Sequence, residues 1–176
     1  MALDETGKVS ARQPQGFEEL FLSEWPRVAR VAQQITRSSA QGEEVAQEVF
    51  LAFYRRFGEV WPEHPAAWLC RAAAHTALNA VRGEGRRRAR EDREGRSAAA
   101  PAADPGELLA AREEARALRG ALGRLREEQA TLLALRYSGF SYNEIAQVTG
   151  TPIGQIGTRL RRAELALRKE YGDAAR

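Results

Sequence analysis

Gln155, Thr158, Arg159, Arg161 and Arg162 crowd together near the C-terminus, and their side chains are of the kinds that read nucleic acid. Arginine pairs bidentately with guanine, glutamine with adenine, and threonine meets a thymine methyl or a phosphate. At about 100° per residue, Ile153, Ile156, Leu160, Ala163 and Leu167 form an apolar stripe on the same helix. Gln155, Thr158, Arg161 and Arg162 point away from that stripe, and Arg159 lies on its flank. The preceding segment can present this face. Ser141-Tyr142-Asn143-Glu144 has the pattern of a capping box, with hydroxyl and carboxylate each taking the other residue's amide. Ile145, Ala146 and Val148 follow on a short helix, Gly150 supplies a left-handed stop, and Thr151-Pro152 restarts a helix as N-cap and first position. Helix, glycine turn and helix is the helix-turn-helix signature, whose second helix enters the major groove. An ordinary helical hairpin with a solvated basic face is the plainer reading. The caps and the turn at this spacing favour DNA contact over it.

Other chemistry finds little support. His64, His75 and Cys70 are the only histidines and cysteine, too few for a metal site. No nucleophile–base–orienter set or phosphate-cradling loop is visible, so the expectation is a chain that is not an enzyme, with no cofactor and no small-molecule substrate. No apolar run approaches the roughly 20 residues of a membrane span. Residues 1–15 read as a polar, disordered tail without a signal-peptide core. A single cysteine excludes an intramolecular disulfide and fits a reducing cytoplasm.

The elements that must position the basic face are helical throughout. Phe17–Thr36 carries Phe17, Leu20, Phe21, Val28, Val31 and Ile35 at helical spacing, with Pro26 marking a restart after Trp25. Glu43–Phe57 turns Val45, Val49, Phe50, Phe53 and Phe57 to one side, and Pro65–Arg82 carries Trp68, Leu69, Ala72, Leu78 and Val81. Residues 83–104 are rich in Arg, then in Ala and Pro, without an apolar stripe, which is linker composition; part of the Arg run can extend the helix before it. Asp104-Pro105-Gly106-Glu107 is a helix start running to about Leu125, and a further helix spans Glu127 to Tyr137, ended by Gly139. No stretch alternates with period two. The fold expected is all-α: a domain over 16–82, a flexible linker over 83–104, and a helix-turn-helix domain over 105–172. Residues 1–82 are net −1 and residues 106–176 net +3, which places the nucleic-acid surface in the second domain.

Leu135–Tyr171, LRYSGFSYNEIAQVTGTPIGQIGTRLRRAELALRKEY, resembles the DNA-binding domain 4 of extracytoplasmic-function (ECF, group 4) sigma factors of the sigma-70 family. The resemblance implies contacts to the −35 promoter element by Gln155, Thr158, Arg159, Arg161 and Arg162. Gln155 stands where the family usually has Thr, and Gly157 where Lys or Arg is common.

GEEVAQEVFLAFYRRF, Gly42–Phe57, resembles the family's domain 2 segment that docks on core RNA polymerase. Glu44, Gln47, Glu48 and Leu51 form its outer face, acidic with one apolar residue, which suits a basic helical partner. The resemblance names that partner as the β′ coiled coil, with the β flap as a further polymerase contact. AAWLCRAAAHTALNAVR, Ala66–Arg82, resembles the helix that recognises and melts the −10 element. Val60, Trp61, His75, Asn79 and Arg82 are the residues it assigns there, the first four to a pocket for a base flipped from the stack, which offsets an unstacking cost of a few kcal/mol. His75 replaces the family's usual Asn, and Asn79 its frequent Asp. Trp68 reads as core. Arg82, Arg86, Arg87 and Arg88 suit phosphate tracking, which needs no fixed geometry.

The resemblance thus implies promoter-specific transcription initiation, with core RNA polymerase, promoter DNA and an anti-sigma factor as partners, a cytoplasmic location and a role in stress response. The alternatives are a helix-turn-helix transcriptional regulator, which would need an effector domain that residues 1–82 do not supply, and a polymerase-binding adaptor without sigma activity.

Overall fold

The computed structural model describes residues 16–58, 60–94 and 107–174, and these residues contain seven helices and no strand. The all-α expectation holds.

α1 (Phe17–Thr36) runs straight through Pro26, where the sequence pattern suggested a restart. The proline removes the donor to the Leu22 carbonyl, and Leu22 is an exposed residue. Arg37 ends the helix in the left-handed region at φ 55°, its N–H donating to the Gln33 carbonyl at 2.8 Å. α2 (Ser39–Phe57) begins four residues before the apolar pattern does, because Ser38 caps it by accepting the Gln41 N–H.

α3 (Pro65–Arg93) departs most from expectation. The linker predicted from Gly83 is helical as far as Arg93. Charge pairing carries it on where no apolar stripe does: Arg88 lies 3.5 Å from Glu84 and Arg87 3.6 Å from Glu91, both one helical turn apart. Arg119, on the second half of the chain, lies 3.5 Å from Glu84. Residues 95–104 of the expected linker, the Asp104–Gly106 helix start and the N-terminal tail lie outside the described residues.

α4 (Glu107–Arg124), α5 (Glu127–Tyr137), α6 (Tyr142–Thr149) and α7 (Ile153–Ala174) form the second half. The capping box is complete: the Glu144 N–H donates to Ser141 Oγ at 3.3 Å, and the Ser141 N–H donates to Glu144 Oε2 at 2.8 Å. Gly150 stops α6 at φ 68°, a conformation that side chains with a Cβ rarely adopt.

In the first half, the core joins Leu20, Val28, Val31 and Ile35 of α1 to Val45, Val49, Phe50 and Phe53 of α2 and Leu69, Leu78 and Val81 of α3. An aromatic layer closes its end. Phe53 meets Trp68 edge-on at 5.5 Å, and Phe57 meets the same ring at 5.3 Å, so Trp68 packs against the core while partly exposed. The second core gathers Leu122, Leu133, Leu135, Ile145, Ile156 and Leu160, and the two are continuous. α3 is the seam, packed against α4, α5 and α6 as well as against α1 and α2.

Candidate nucleic-acid and polymerase interfaces

α7 presents Gln155, Thr158, Arg161 and Arg162 to solvent, with Arg159 half-buried beside them. Ile156, Leu160 and Ala163 hold the opposite side in the core. Ile153 does not join them: it stands at the first position of α7 and is 52% exposed. Leu167, at the other end of the stripe, packs against the core while partly exposed.

Gln155, Thr158, Arg159 and Arg162 line one cleft together with Arg126, Glu128, Gln129 and Leu132 of the α5 end, whereas Arg161 stands outside it. Arg126 and Gln129 were not legible as site residues, since they precede the helix-turn-helix pattern and only the packing of α5 on α7 brings them to the cleft. Arg159 is engaged within the molecule. It donates to Glu128 Oε1 at 2.9 Å and to Gln155 Oε1 at 3.0 Å. A Cβ on Gly157 would lie 3.6 Å from the Tyr142 ring, an ordinary contact, so packing does not demand glycine at this departure from the family pattern.

On α2, Glu44, Gln47, Glu48 and Leu51 share the exposed side, opposite buried Val45, Val49 and Phe53. Leu51 is 47% exposed, and Tyr54, one turn further on and 55% exposed, extends the same surface with a second large side chain. The i, i+3 spacing from Leu51 would have found Tyr54.

The residues assigned to the −10 element fall into two places. Trp61 packs edge-on to Phe53 at 5.7 Å and its indole N–H donates to the Gly58 carbonyl at 2.8 Å, while Val60 is exposed beside it. His75 and Asn79 lie two and three turns along α3 from Trp68, on the order of 10–17 Å down the axis. The Asn79 amide nitrogen is 3.3 Å from the His75 ring nitrogens, and His75 Nε2 is 3.9 Å from Glu127. Arg82 turns onto the second half of the chain: its Nε donates to the Gly123 carbonyl at 3.0 Å and its Nη2 to the Leu125 carbonyl at 2.8 Å.

Among the described residues, two titratable groups are displaced from their ordinary values. Burial pushes the Cys70 thiol up to about 12, which keeps it protonated near neutral pH. The Ser141 N–H, with the Ser141 hydroxyl and Arg27 adding to it, holds the Glu144 carboxyl below its usual range against the opposing effect of burial.

A chain of two helical units, one ending in a capped helix-turn-helix and the other carrying an acidic helix face, has clear relatives. The pattern of sigma-70 region 2 matches residues 20–87, and that of sigma-70 region 4 matches residues 115–167. The chain is 27% identical over 172 residues to the RNA polymerase sigma-H factor of Pseudomonas aeruginosa, covering 92% of this chain and 89% of that one. It is 28% identical over 171 residues to the ECF RNA polymerase sigma factor SigK of Mycolicibacterium vanbaalenii, covering 95% and 87%. Among solved structures it resembles the sigma factor RpoE of Bartonella quintana, crystallised with the anti-sigma factor NepR. That likeness has a TM-score of 0.52 at 22% identity, over 88% of this chain and 95% of that one, and it concerns the fold.

The chain therefore belongs to the sigma-70 family, the transcription initiation factors that bind core RNA polymerase and promoter DNA. Within that family it is an ECF sigma factor.

Proposed function

We propose that this sigma factor binds core RNA polymerase through α2, reads a −35 element with α7, and melts a −10 element with α3 and the loop before it. Gln155, Thr158, Arg161 and Arg162 enter the major groove, and Arg159 joins them once it leaves Glu128. Glu44, Gln47, Glu48 and Leu51 dock on the β′ coiled coil, while the helix-turn-helix half engages the β flap. His75 and Asn79 at one place and Val60 and Trp61 at the other contact the melted −10 strand and hold it with a base flipped from the stack, while Arg82 follows its phosphates. An anti-sigma factor restrains the protein, as NepR accompanies the RpoE relative. It works in the cytoplasm, where polymerase and chromosome meet, and no helix among the described residues is long and apolar enough to cross a membrane.

The observation that carries the reading is the solvent-facing set Gln155, Thr158, Arg161 and Arg162 on a helix whose opposite side, Ile156, Leu160 and Ala163, is locked in the core behind a complete capping box. Such a helix is rigid where it must be and free where bases are read. Run-off transcription with core polymerase, on templates recovered by mapping start sites after overexpression, is the test. Initiation dependent on this chain and core alone is the expected result. Stimulation seen only with a pre-formed holoenzyme would make the chain a regulator instead.

A further inference from the structure

Arg159 serves two partners with two different nitrogens. Its Nη1 donates to Glu128 Oε1 at 2.9 Å, and its Nη2 donates to Gln155 Oε1 at 3.0 Å. Gln155 and Arg159 stand one helical turn apart on α7, so the second bond needs no other element to form it. A guanidinium only donates, and the atom of a glutamine amide that meets it is therefore the oxygen. That fixes the amide: Oε1 is turned to Arg159, and Nε2 keeps both hydrogens, with no hydrogen bond to another described residue. Gln155 is exposed, lines the same cleft as Thr158 and Arg162, and lies in the first turn of α7. The first turn of a recognition helix is where side chains meet base edges.

We infer that Gln155 and Arg159 act as one reader that selects guanine over adenine, with Arg159 as the positioning residue that decides which way the amide faces. The inference rests on α7 being the −35 helix, and it names the base that one position of that helix selects. A free glutamine suits adenine, because its amide meets the N7 acceptor and the N6 amino donor together. Gln155 has one lone pair of Oε1 engaged and a cation beside it, which makes that oxygen a poor acceptor for a partly positive amino group. The same bond polarises the amide and strengthens its N–H donors. Guanine presents two acceptors to the major groove, N7 and O6, and so matches a pair of donors; cytosine presents an amino donor, and thymine one acceptor beside a methyl. Giving up Glu128 for DNA empties Nη1 and leaves the Nη2 bond in place. Expelling water from the groove makes that bond costlier to break, since an N–H left there without an acceptor is penalised. Gln155 is a departure from the family pattern, so this selection is the chain's own.

The test is transcription by core polymerase and the full chain on a pool of templates carrying every base at each −35 position, with a barcode in each transcript that reports its template. Gln155→Ala marks the position Gln155 reads, as the one whose base preference collapses. There the wild type should favour guanine over adenine by about fivefold or more. Arg159→Ala frees Oε1 and should reverse the ratio in favour of adenine. That ratio is unmoved by a lost phosphate contact, which weakens all templates alike. Glu128→Gln should leave the ratio at its wild-type value, because Glu128 is served by Nη1 and Gln155 by Nη2. An adenine preference in the wild type, or a guanine preference that persists in Arg159→Ala, would overturn the paired reader. If Gln155→Ala alters no position while Arg162→Ala does, Gln155 reads no base, and the inference fails with the −35 role of α7 standing. If neither variant alters any −35 position, that role falls and takes the inference with it.

Discussion

Replacing Arg162 by Ala separates base reading from phosphate contact, and the cleft beside α7 sets the scale. Arg162 is exposed and lines that cleft with Gln155 and Thr158, on the side of α7 opposite Ile156 and Leu160. Its removal should leave the fold unchanged, since exposed substitutions of this kind stay within about 0.5 kcal/mol of stability. If it pairs with a base, the loss is about 1–3 kcal/mol at its cognate position, roughly 5- to 150-fold in apparent affinity. Arg159 supplies the internal comparison. It already holds Glu128 and Gln155, and the exposed ion pair with Glu128 is worth about 0.2–1 kcal/mol, which DNA binding must give back. Arg159→Ala should therefore cost less than Arg162→Ala, and Glu128→Gln should strengthen promoter binding by up to about fivefold. The assay is initiation by reconstituted holoenzyme over a promoter titration, on the native −35 sequence and on one scrambled there. A base contact makes the Arg162→Ala defect vanish on the scrambled template. A phosphate contact makes it equal on both and flattens the salt dependence. Wild-type initiation by Arg162→Ala on the native template would refute the assignment of this helix face to DNA.

Glu44→Lys with Glu48→Lys should abolish association with core polymerase in gel filtration while the helical circular dichroism persists, because both side chains lie outside the core; retained nanomolar binding would remove α2 from the docking surface. His75→Asn should keep open-complex formation and change base preference at one −10 position, read by permanganate footprinting on a set of single-base variants; an unaltered profile would take His75 out of the pocket. Phe53→Ala should cost about 3–5 kcal/mol, since Phe53 is fully buried between Phe57, Trp61 and Trp68, and a melting curve close to wild type would contradict that packing. Glu144 has a pKa lowered in the fold, so its contribution is complete above the ordinary carboxylate value and is lost as pH falls through the lowered one. Acid titration of the wild type should show destabilisation below about pH 4.5 that Glu144→Gln lacks, because a glutamine keeps the capping box without titrating.

Much of this molecule follows from local rules that a sequence carries openly. Ser141, Glu144 and Gly150 dictate where α6 starts and stops because capping and the left-handed stop involve only near neighbours in the chain. The Ile156, Leu160 and Ala163 stripe fixes which side of α7 is free, and the Val45, Val49 and Phe53 stripe does the same for α2. These periodicities survive in the folded protein because each helix has one core to face. Where a boundary depends on polar pairing the pattern misleads. α3 runs on to Arg93 on Glu84–Arg88 and Arg87–Glu91 pairs that leave no apolar trace, and α1 passes through Pro26 without a break. Only the tertiary structure decides the contacts between residues far apart in the chain. Arg27 with Glu144, Arg71 with Val148, Arg82 with Gly123, and Arg126 beside Gln155 are separated by tens of residues or more and obey no period. A guanidinium looks the same in the sequence whether it will read a base, follow a phosphate or close a helix end. Which of these it does depends on what the fold brings within hydrogen-bonding distance.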